Sequence, residues 1–414
     1  MTGESAPASG SRGFAAFRQR DFRWLIFGKV CSWTGLHMMM VAIAYQVYDL
    51  TGDVMNLAYI GLSIFAPAMG LALFTGYVAD RFDRRRVLAI CFVVMLGSAL
   101  LFLIITLSGM PDVWPVFAVL VLLGAGRAFY MPAANSLVPN LVPIADLPNA
   151  LAWNTSIHKI GQVVGPALGG MLYLAGPEIV YATASAGFVV AIIATSMIRT
   201  RVERAGREPI SLGTLLAGLR YVYSKNVLFG AITLDLFVVL LGGVTALFPV
   251  FAKDILEVGA SGAGFLRSAM AAGAVLSGLA LTQIALDRAV GRILFFTIFI
   301  YGAATLAFGL SEIYWLSLLA MGVIGASDMV SVYIRVTLLQ IATPDEMRGR
   351  VNAVNSVFTG ASNEIGEFRA GAMAALIGVV PAVLVGGIGA IVVTAAGWKL
   401  FPDLVRIERM DREL

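Results

Sequence analysis

Ionisable side chains inside long apolar runs are the groups in this sequence that could do chemistry. Such residues are rare in lipid-length segments and usually mark an ion or substrate path. The second half of the chain carries Asp235, Arg267, Asp328, Arg335, Glu364, Glu367 and Arg369 in runs of this kind. The first half carries Lys29, His37, Arg127, His158 and Lys159, and no deep carboxylate. A cavity between the halves would have a cationic N-terminal wall and an acidic or mixed C-terminal one. The first wall suits an anionic or zwitterionic compound. A carboxylate held in low dielectric on the second suits a group that binds and releases a proton. Asp235 and Glu364 fall near mid-span and are the first proton-carrier candidates, followed by Asp328 and Glu367.

Most of these residues also have a structural explanation. Asp328 and Arg335 are seven residues apart and share a helical face, as an ion network or as part of a site. Glu367 and Arg369 lie toward the outer half of their segment, where a gate pair is expected. Lys29 is close enough to the inner face to snorkel. His37 and His158 either bond a neighbouring helix or face a cavity. The substrate-contact candidates are Trp33, His37, Arg127, Asn154, His158 and Lys159. Trp33, Tyr45, Tyr130 and Trp153 offer rings for a bulky amphipathic compound, although lipid-facing aromatics look the same from sequence. Asn154 and Gln162 add uncharged hydrogen-bonding capacity beside His158.

Apolar helices must position these groups. The chain of 414 residues is 59% hydrophobic and 13% charged, against about 25% charged in soluble domains, so lipid is the solvent for most of its surface. Lipid-spanning helices need roughly 20 apolar residues. The chain supplies twelve such runs, at 22–48, 55–79, 87–108, 115–138, 147–174 and 179–198, then 226–252, 260–285, 292–310, 313–340, 350–374 and 380–399. They are too long for spanning β-strands, which need about ten residues. The expected fold is an all-α membrane protein of twelve transmembrane helices. Basic residues gather before the first run, at Arg81–Arg86, in the polar stretch after the sixth run, near Arg288, Arg292, Arg348 and Arg350, and in the tail. The alternate loops hold only Lys253. By the positive-inside bias both termini are expected in the cytoplasm.

Several function classes are excluded. The basic residues are scattered through short loops, which is not a nucleic-acid footprint. Cys31 and Cys91 both lie in apolar runs, giving neither a disulfide nor a metal pattern. No Gly-x-x-x-x-Gly-Lys-Ser/Thr loop is present, so no nucleotide is expected. Metal-ligand spacing and a Ser-His-Asp arrangement in an aqueous segment are also lacking, so neither a cofactor nor enzyme activity is expected. Met1–Gly13 is small and polar, without the basic and apolar regions of a signal peptide.

The chain repeats itself at an offset of about 200 residues. Asp287-Arg288-Ala289-Val290-Gly291-Arg292 echoes Asp80-Arg81-Phe82-Asp83-Arg84, while Pro344, Gly366 and Gly371 echo Pro143, Gly165 and Gly170. Between the halves Thr200–Ser224 is polar, with the character of an amphipathic surface helix. The expected organisation is a disordered cytoplasmic tail at 1–20, six-helix bundles at 21–199 and 225–400 joined by a linker at 200–224, and a second cytoplasmic tail at 401–414.

Two motifs carry a family resemblance. Gly76-Tyr77-Val78-Ala79-Asp80-Arg81-Phe82-Asp83-Arg84-Arg85-Arg86 places six charges in seven residues between two apolar runs. It resembles the Gly-x-Leu-Ala-Asp-Arg-x-Gly-Arg-Arg loop between helices two and three of major facilitator superfamily transporters, with Val78 in the Leu position and Asp83 in the Gly position. Gly161-Gln162-Val163-Val164-Gly165-Pro166-Ala167-Leu168-Gly169-Gly170 resembles the Gly-x-x-x-Gly-Pro-x-x-Gly-Gly motif of that superfamily's antiporters. Glycines four apart let helix backbones approach closely, and Pro166 removes a backbone donor and bends the helix.

The resemblance extends from about Phe17 to Phe401 and includes Leu50-Thr51-Gly52 and Leu141-Val142-Pro143 with Asn149-Ala150. These look like the drug:proton antiporter branch, which includes macrolide and enterobactin exporters. That implies two pseudo-symmetric six-helix bundles, the major facilitator fold, in a monomer of the cell (inner) membrane. It implies alternating access, with protons exchanged for a small amphipathic, siderophore- or drug-like compound. Gly76, Asp80, Arg81, Arg84 and Arg85 would gate one end, and Gly161, Gly165, Pro166, Gly169 and Gly170 the other. Asp80 would sit against a positive helix N-terminus. A proton-coupled importer or lysolipid flippase of the same fold, and a non-transporting membrane sensor, are the alternatives.

Overall fold

The computed structural model describes residues 9–109, 112–200, 212–284, 286 and 288–409. Twelve long helices run through them: α1 (Arg20–Thr51), α2 (Val54–Arg81), α3 (Arg84–Leu107), α4 (Trp114–Leu137), α5 (Leu147–Tyr173), α6 (Pro177–Ser196), α7 (Asn226–Gly242), α8 (Gly259–Leu281), α9 (Val290–Leu310), α10 (Tyr314–Ile341), α11 (Asp345–Ile377) and α12 (Val379–Leu400). Their limits follow from local chemistry. Gly52, at φ +62°, closes α1 in the left-handed conformation that glycine tolerates. Asp53 then caps α2 by accepting the Met55 amide at 2.9 Å, and Asp83 caps α3 by accepting the Arg85 amide at 3.0 Å.

Helix packing repeats. In the first half α1 packs on α5 and α6, α2 on α4, and α3 on α4 and α6. In the second half α7 packs on α11 and α12, α8 on α10, and α9 on α10 and α12. Advancing every helix number by six maps the first set onto the second. The main contacts between halves, α5 with α8 and α2 with α11, exchange under the same operation. Each half has its own apolar core, built around Phe92, Phe102, Tyr130 and Phe188 in one and Phe251, Phe295 and Phe308 in the other.

Among the described residues, ten helical spans are long and apolar enough to cross a membrane by length and composition alone. Among the twelve, α5 and α11 are long enough, at 27 and 33 residues, but too polar. They occupy equivalent places in the two halves, each packed against a helix of the other half.

Three segments depart from expectation. Residues Ser9–Arg18, expected in a disordered tail, form 3₁₀ turns on either side of a kink at Phe14. The segment docks on α5, where Asn149 Nδ2 and Trp153 Nε1 both donate to the Gly13 carbonyl, at 2.9 and 2.8 Å. The expected tail beyond Phe401 also packs down: Leu404 and Ile407 are buried, and the Gly291 amide donates to the Ile407 carbonyl at 2.9 Å. The span expected over 226–252 is present as Asn226–Ile255, but its helix is interrupted. It stops at Gly242, passes through Gly243 and Val244, and resumes as short turns ending in a π-helical turn at Phe251–Ile255. In the linker, residues 201–211 lie outside the described part, and Leu212–Ser224 is helical and packs on α11.

Candidate functional site

Between the halves is a cavity of about 90 Å³. α1 gives it His37, α4 Arg127, α8 Arg267 and α11 Glu364 and Glu367, with Leu36, Met40, Ile60 and Ile64 as apolar wall. The N-terminal wall thus holds an imidazole and a guanidinium, and the C-terminal wall holds two carboxylates and a guanidinium. The Thr245 hydroxyl donates to Glu367 Oε1 at 2.5 Å, tying α11 to the segment after the α7 break. His37 Nε2 is buried without a hydrogen-bond partner. An unmatched buried polar atom is costly in the protein alone.

Below His37 on the same wall lies an aromatic stack. Trp33 stacks on Tyr130 with ring centres 5.4 Å apart and planes 15° apart, and it lies 4.1 Å from the His158 ring. Lys29 is buried, and its ammonium donates to Asn154 Oδ1 rather than snorkelling outward. Asn154 Nδ2 in turn donates to Asn135 Oδ1 at 3.3 Å. Of the expected substrate contacts, His37 and Arg127 line the cavity. Trp33, His158 and Asn154 form the stack and its polar edge, and Lys159 is half-buried on α5 outside the cavity lining.

The acidic candidates separate into two places. Glu364 and Glu367 line the central cavity, whereas Asp235 and Asp328 line a smaller one inside the second half, with Tyr301 and Ser331. Arg335 reaches across from α10 to Asp235 on α7 at 2.6 Å, both side chains buried. Asp235 is therefore held in an ion pair away from the central cavity. The expected Glu367–Arg369 gate pair does not form: Arg369 Nη2 donates to the Leu241 carbonyl at 2.5 Å instead. Residues two apart on a helix point to different faces. Sequence reading also missed what Arg369 and Tyr301 do here. The Tyr301 hydroxyl donates to the Gly242 carbonyl at 3.1 Å, so both side chains satisfy carbonyls freed by the α7 break. The Gly242-Gly243 pair was the available signal for that break.

The glycine run of α5 has two contact faces. A Cβ on Gly161, Gly165 or Gly169 would come within 2.5, 2.6 and 2.6 Å of Trp33, His37 and the Met38 carbonyl, all on α1. A Cβ on Gly170 would come within 2.5 Å of the Ala260 carbonyl on α8, and Gly264 of α8 lies against the Pro166 carbonyl. The repeat has the same geometry: Gly366 lies against Val239 of α7, and Gly371 against Ala58 of α2.

Further hydrogen bonds and ion pairs cross between halves at the end opposite the termini. Lys253 pairs with Asp49 at 2.5 Å, and the Tyr48 hydroxyl donates to Asp254. Nearer mid-span the Ser268 hydroxyl donates to the Val163 carbonyl at 2.6 Å. At the terminus-bearing end several bonds hold each half together. Asp21 accepts the Thr200 hydroxyl at 2.6 Å, Arg85 donates to the Ile198 carbonyl, and Tyr221 donates to the Ala342 carbonyl at 3.1 Å. Arg81 ends α2, and Arg84, in the first turn of α3, is buried. Gly76 and Asp80 fall in the last turns of α2, and the Asp80 side chain lies outside the described part. Among the described residues no cluster of His, Cys, Asp and Glu could hold a metal ion.

This geometry has counterparts. A bacterial homologue of the human lysosomal transporter Spinster, solved inward-facing and unoccupied, superposes with a TM-score of 0.72 at 13% identity, over 96% of this chain and 99% of that one. A bacterial homologue of the iron transporter ferroportin, also inward-facing, gives 0.71 at 16% identity, over 94% and 99%. In sequence, the enterobactin exporter EntS of Shigella boydii serotype 18 is 25% identical over 398 residues, covering 94% of this chain and 92% of that protein. EntS of Escherichia coli O81 is similar to the same degree. The sequence profile of the transmembrane secretion effector family matches residues 11–412. The chain belongs to this family and is a multi-pass membrane transporter of small molecules with the major facilitator fold, not an enzyme.

Proposed function

We propose that the protein exports a small amphipathic, anionic compound across the inner membrane, with its termini in the cytoplasm, in exchange for protons. The observation that carries this reading is the cavity between the halves, which sets Glu364 and Glu367 opposite Arg127 and His37. Cations from both halves would hold the anion. Glu364 would take a proton as the compound leaves and release it to the cytoplasm. The relatives named as enterobactin exporters support the outward direction.

The contacts between the halves support alternating access. The halves meet at the end opposite the termini through Lys253–Asp49, Gly170–Ala260 and Gly371–Ala58. With cytoplasmic termini this is an inward-facing arrangement closed on the outside. At about 90 Å³ the cavity is well below the roughly 300–1,000 Å³ of a drug-sized site, so the helices lining it must part further to admit cargo. Asp80, Arg81, Arg84 and Arg85 would close the cytoplasmic end in the opposite state. The test uses purified protein in liposomes with an internal pH dye, an imposed pH gradient and added amphipathic anions. Anion-dependent proton movement in the wild type, lost in Glu364→Gln with anion exchange retained, supports the reading. Proton movement unchanged in that variant overturns the role of Glu364, and movement with cations alone overturns the anionic cargo.

A further inference from the structure

The two halves hold matching polar sites in their interiors, and only one of the two is balanced in charge. Lys29 stands nine residues after Arg20, the first residue of α1, and Asp235 nine after Asn226, the first of α7. Asn135 stands 21 residues after Trp114 on α4, and Arg335 21 after Tyr314 on α10. The six-helix shift that relates the halves therefore carries Lys29 onto Asp235 and Asn135 onto Arg335. In the second half these places hold opposite charges, paired at 2.6 Å. In the first they hold an ammonium and a carboxamide, linked through Asn154 of α5. Lys29 is 3% exposed, and among the described residues no carboxylate pairs with it. An ammonium has three donors, and Asn154 Oδ1 accepts one of them. The titratable groups around it are Tyr130 of α4, whose ring centre is 6.0 Å away, and His158 of α5. Where α6 meets α1 beside it, at Gly28, the neighbours are Ala191 and Ala194.

We infer that Lys29 is a second proton-binding site of the transport cycle, without its proton in the arrangement seen here. An ammonium out of water with no counter-ion is costly, and lysine, unlike arginine, can shed its charge in such a place. An anion would balance the charge too, but the site is closed one turn above Lys29, where a Cβ on Gly161 would come within 2.5 Å of Trp33. Release has a short route: Asn135, bonded to Asn154, is exposed at the terminus-bearing end. Returning the proton puts an unpaired charge among α1, α4 and α5 and so disfavours this arrangement against the opposite one, in proportion to the proton's differential affinity for the two. α1 is one helix from Lys29 to Tyr48 and Asp49, which bond the second half. A shift of α1 that relieves the charge loosens those bonds. The direction agrees with proton entry in exchange for export, since the proton is off when the path faces the cytoplasm. That agreement rests on the exchange proposed above. The site itself does not, and it is separate from Glu364 in the central cavity.

The experiment is maleimide labelling of the purified full chain at a series of pH values, with neither cargo nor gradient. The probe is a cysteine at Ala260, which is buried between the halves at the end opposite the termini and reacts when that end opens. Cys31 and Cys91 are replaced by Ala, and each rate is divided by that of the denatured protein, which removes the reagent's own pH dependence. Glu364→Gln is present throughout, so the central carboxylate does not contribute. Lowering the pH from about 9 to about 6 should speed labelling severalfold, under the ceiling of about tenfold per pH unit that one proton sets. Lys29→Met, always neutral, should label slowly across the range, and Lys29→Arg, always charged, rapidly. A merely structural lysine would make the two variants alike. The thermal midpoint shows whether Lys29→Met is folded, and Lys29→Gln replaces it where it is not. No pH response in the parent, an unchanged response in the neutral variant, or equal labelling of the neutral and Arg variants would each overturn the assignment. Absence of anion-coupled proton flux in liposomes would instead overturn the export reading and leave these labelling results standing.

Discussion

Lys253, in the π-helical turn of the second half, holds the Asp49 carboxylate at the end of α1 at 2.5 Å. Beside it Tyr48 bonds Asp254, so two adjacent residues on each side fasten the halves together. Both members of the ion pair are partly exposed, and such pairs contribute about 0–1 kcal/mol. Lys253→Gln alone should shift the balance between conformations by less than roughly fivefold. Combined with Tyr48→Phe the shift should be clearly larger, because the buried edge of the latch is lost too. Maleimide labelling of a cysteine placed at Ala44, on the cavity wall, measures this from the side opposite the termini; no increase in the double variant would remove the latch.

The α5 glycines should separate stability from conformational balance. Gly169→Ala drives a Cβ into the Met38 backbone within the first half, and overpacking of this kind costs about 1–3 kcal/mol. It should lower the thermal midpoint of the purified protein. Gly170→Ala meets the Ala260 carbonyl across the halves. It should leave that midpoint less affected and open the end opposite the termini, read by the same labelling assay.

Removing one member of the Asp235–Arg335 pair leaves a buried charge unpaired, at a cost of about 3–5 kcal/mol. Asp235→Asn and Arg335→Met should each depress thermal stability strongly. The double variant should recover much of the loss, because neither charge is then stranded. Additive losses in the double-mutant cycle would mean that the two side chains do not depend on each other.

The break in α7 relies on two side chains from other helices. Tyr301→Phe removes one donor to the Gly242 carbonyl and should cost about 1 kcal/mol. Arg369→Met strands the Leu241 carbonyl as well. Hydrogen exchange of residues 239–247 should accelerate in the pair of variants and stay unchanged in distant helices. Uniform acceleration would indicate general loosening rather than a local cap.

Much of the architecture was legible because lipid enforces it. Every span must satisfy its own backbone, so the long apolar runs from Arg20 to Leu400 could only be helices, and the 200-residue echoes announced two like halves. The glycines of α5 were legible as close-approach points, but not their partners. Sequence spacing places Gly165 and Gly170 on a helix without saying that one meets α1 and the other α8. The charged residues were legible as unusual, since a charge in lipid is costly, yet their pairing was not. Arg335 appeared to belong with Asp328, seven residues away on its own helix, and instead reaches Asp235 on α7.

By itself, then, the sequence determined a lipid-embedded, duplicated, all-helical chain whose deep carboxylates lie in the second half, because hydropathy and local spacing act along the chain. Only the tertiary structure decided that Glu364 shares a cavity with Arg127 while Asp235 does not. It also decided that α7 breaks at Gly242 and that the halves meet at Lys253 and Asp49. Those relationships join residues about 60 to 240 positions apart, and they depend on how helices are rotated against one another, which no periodicity within a single helix encodes.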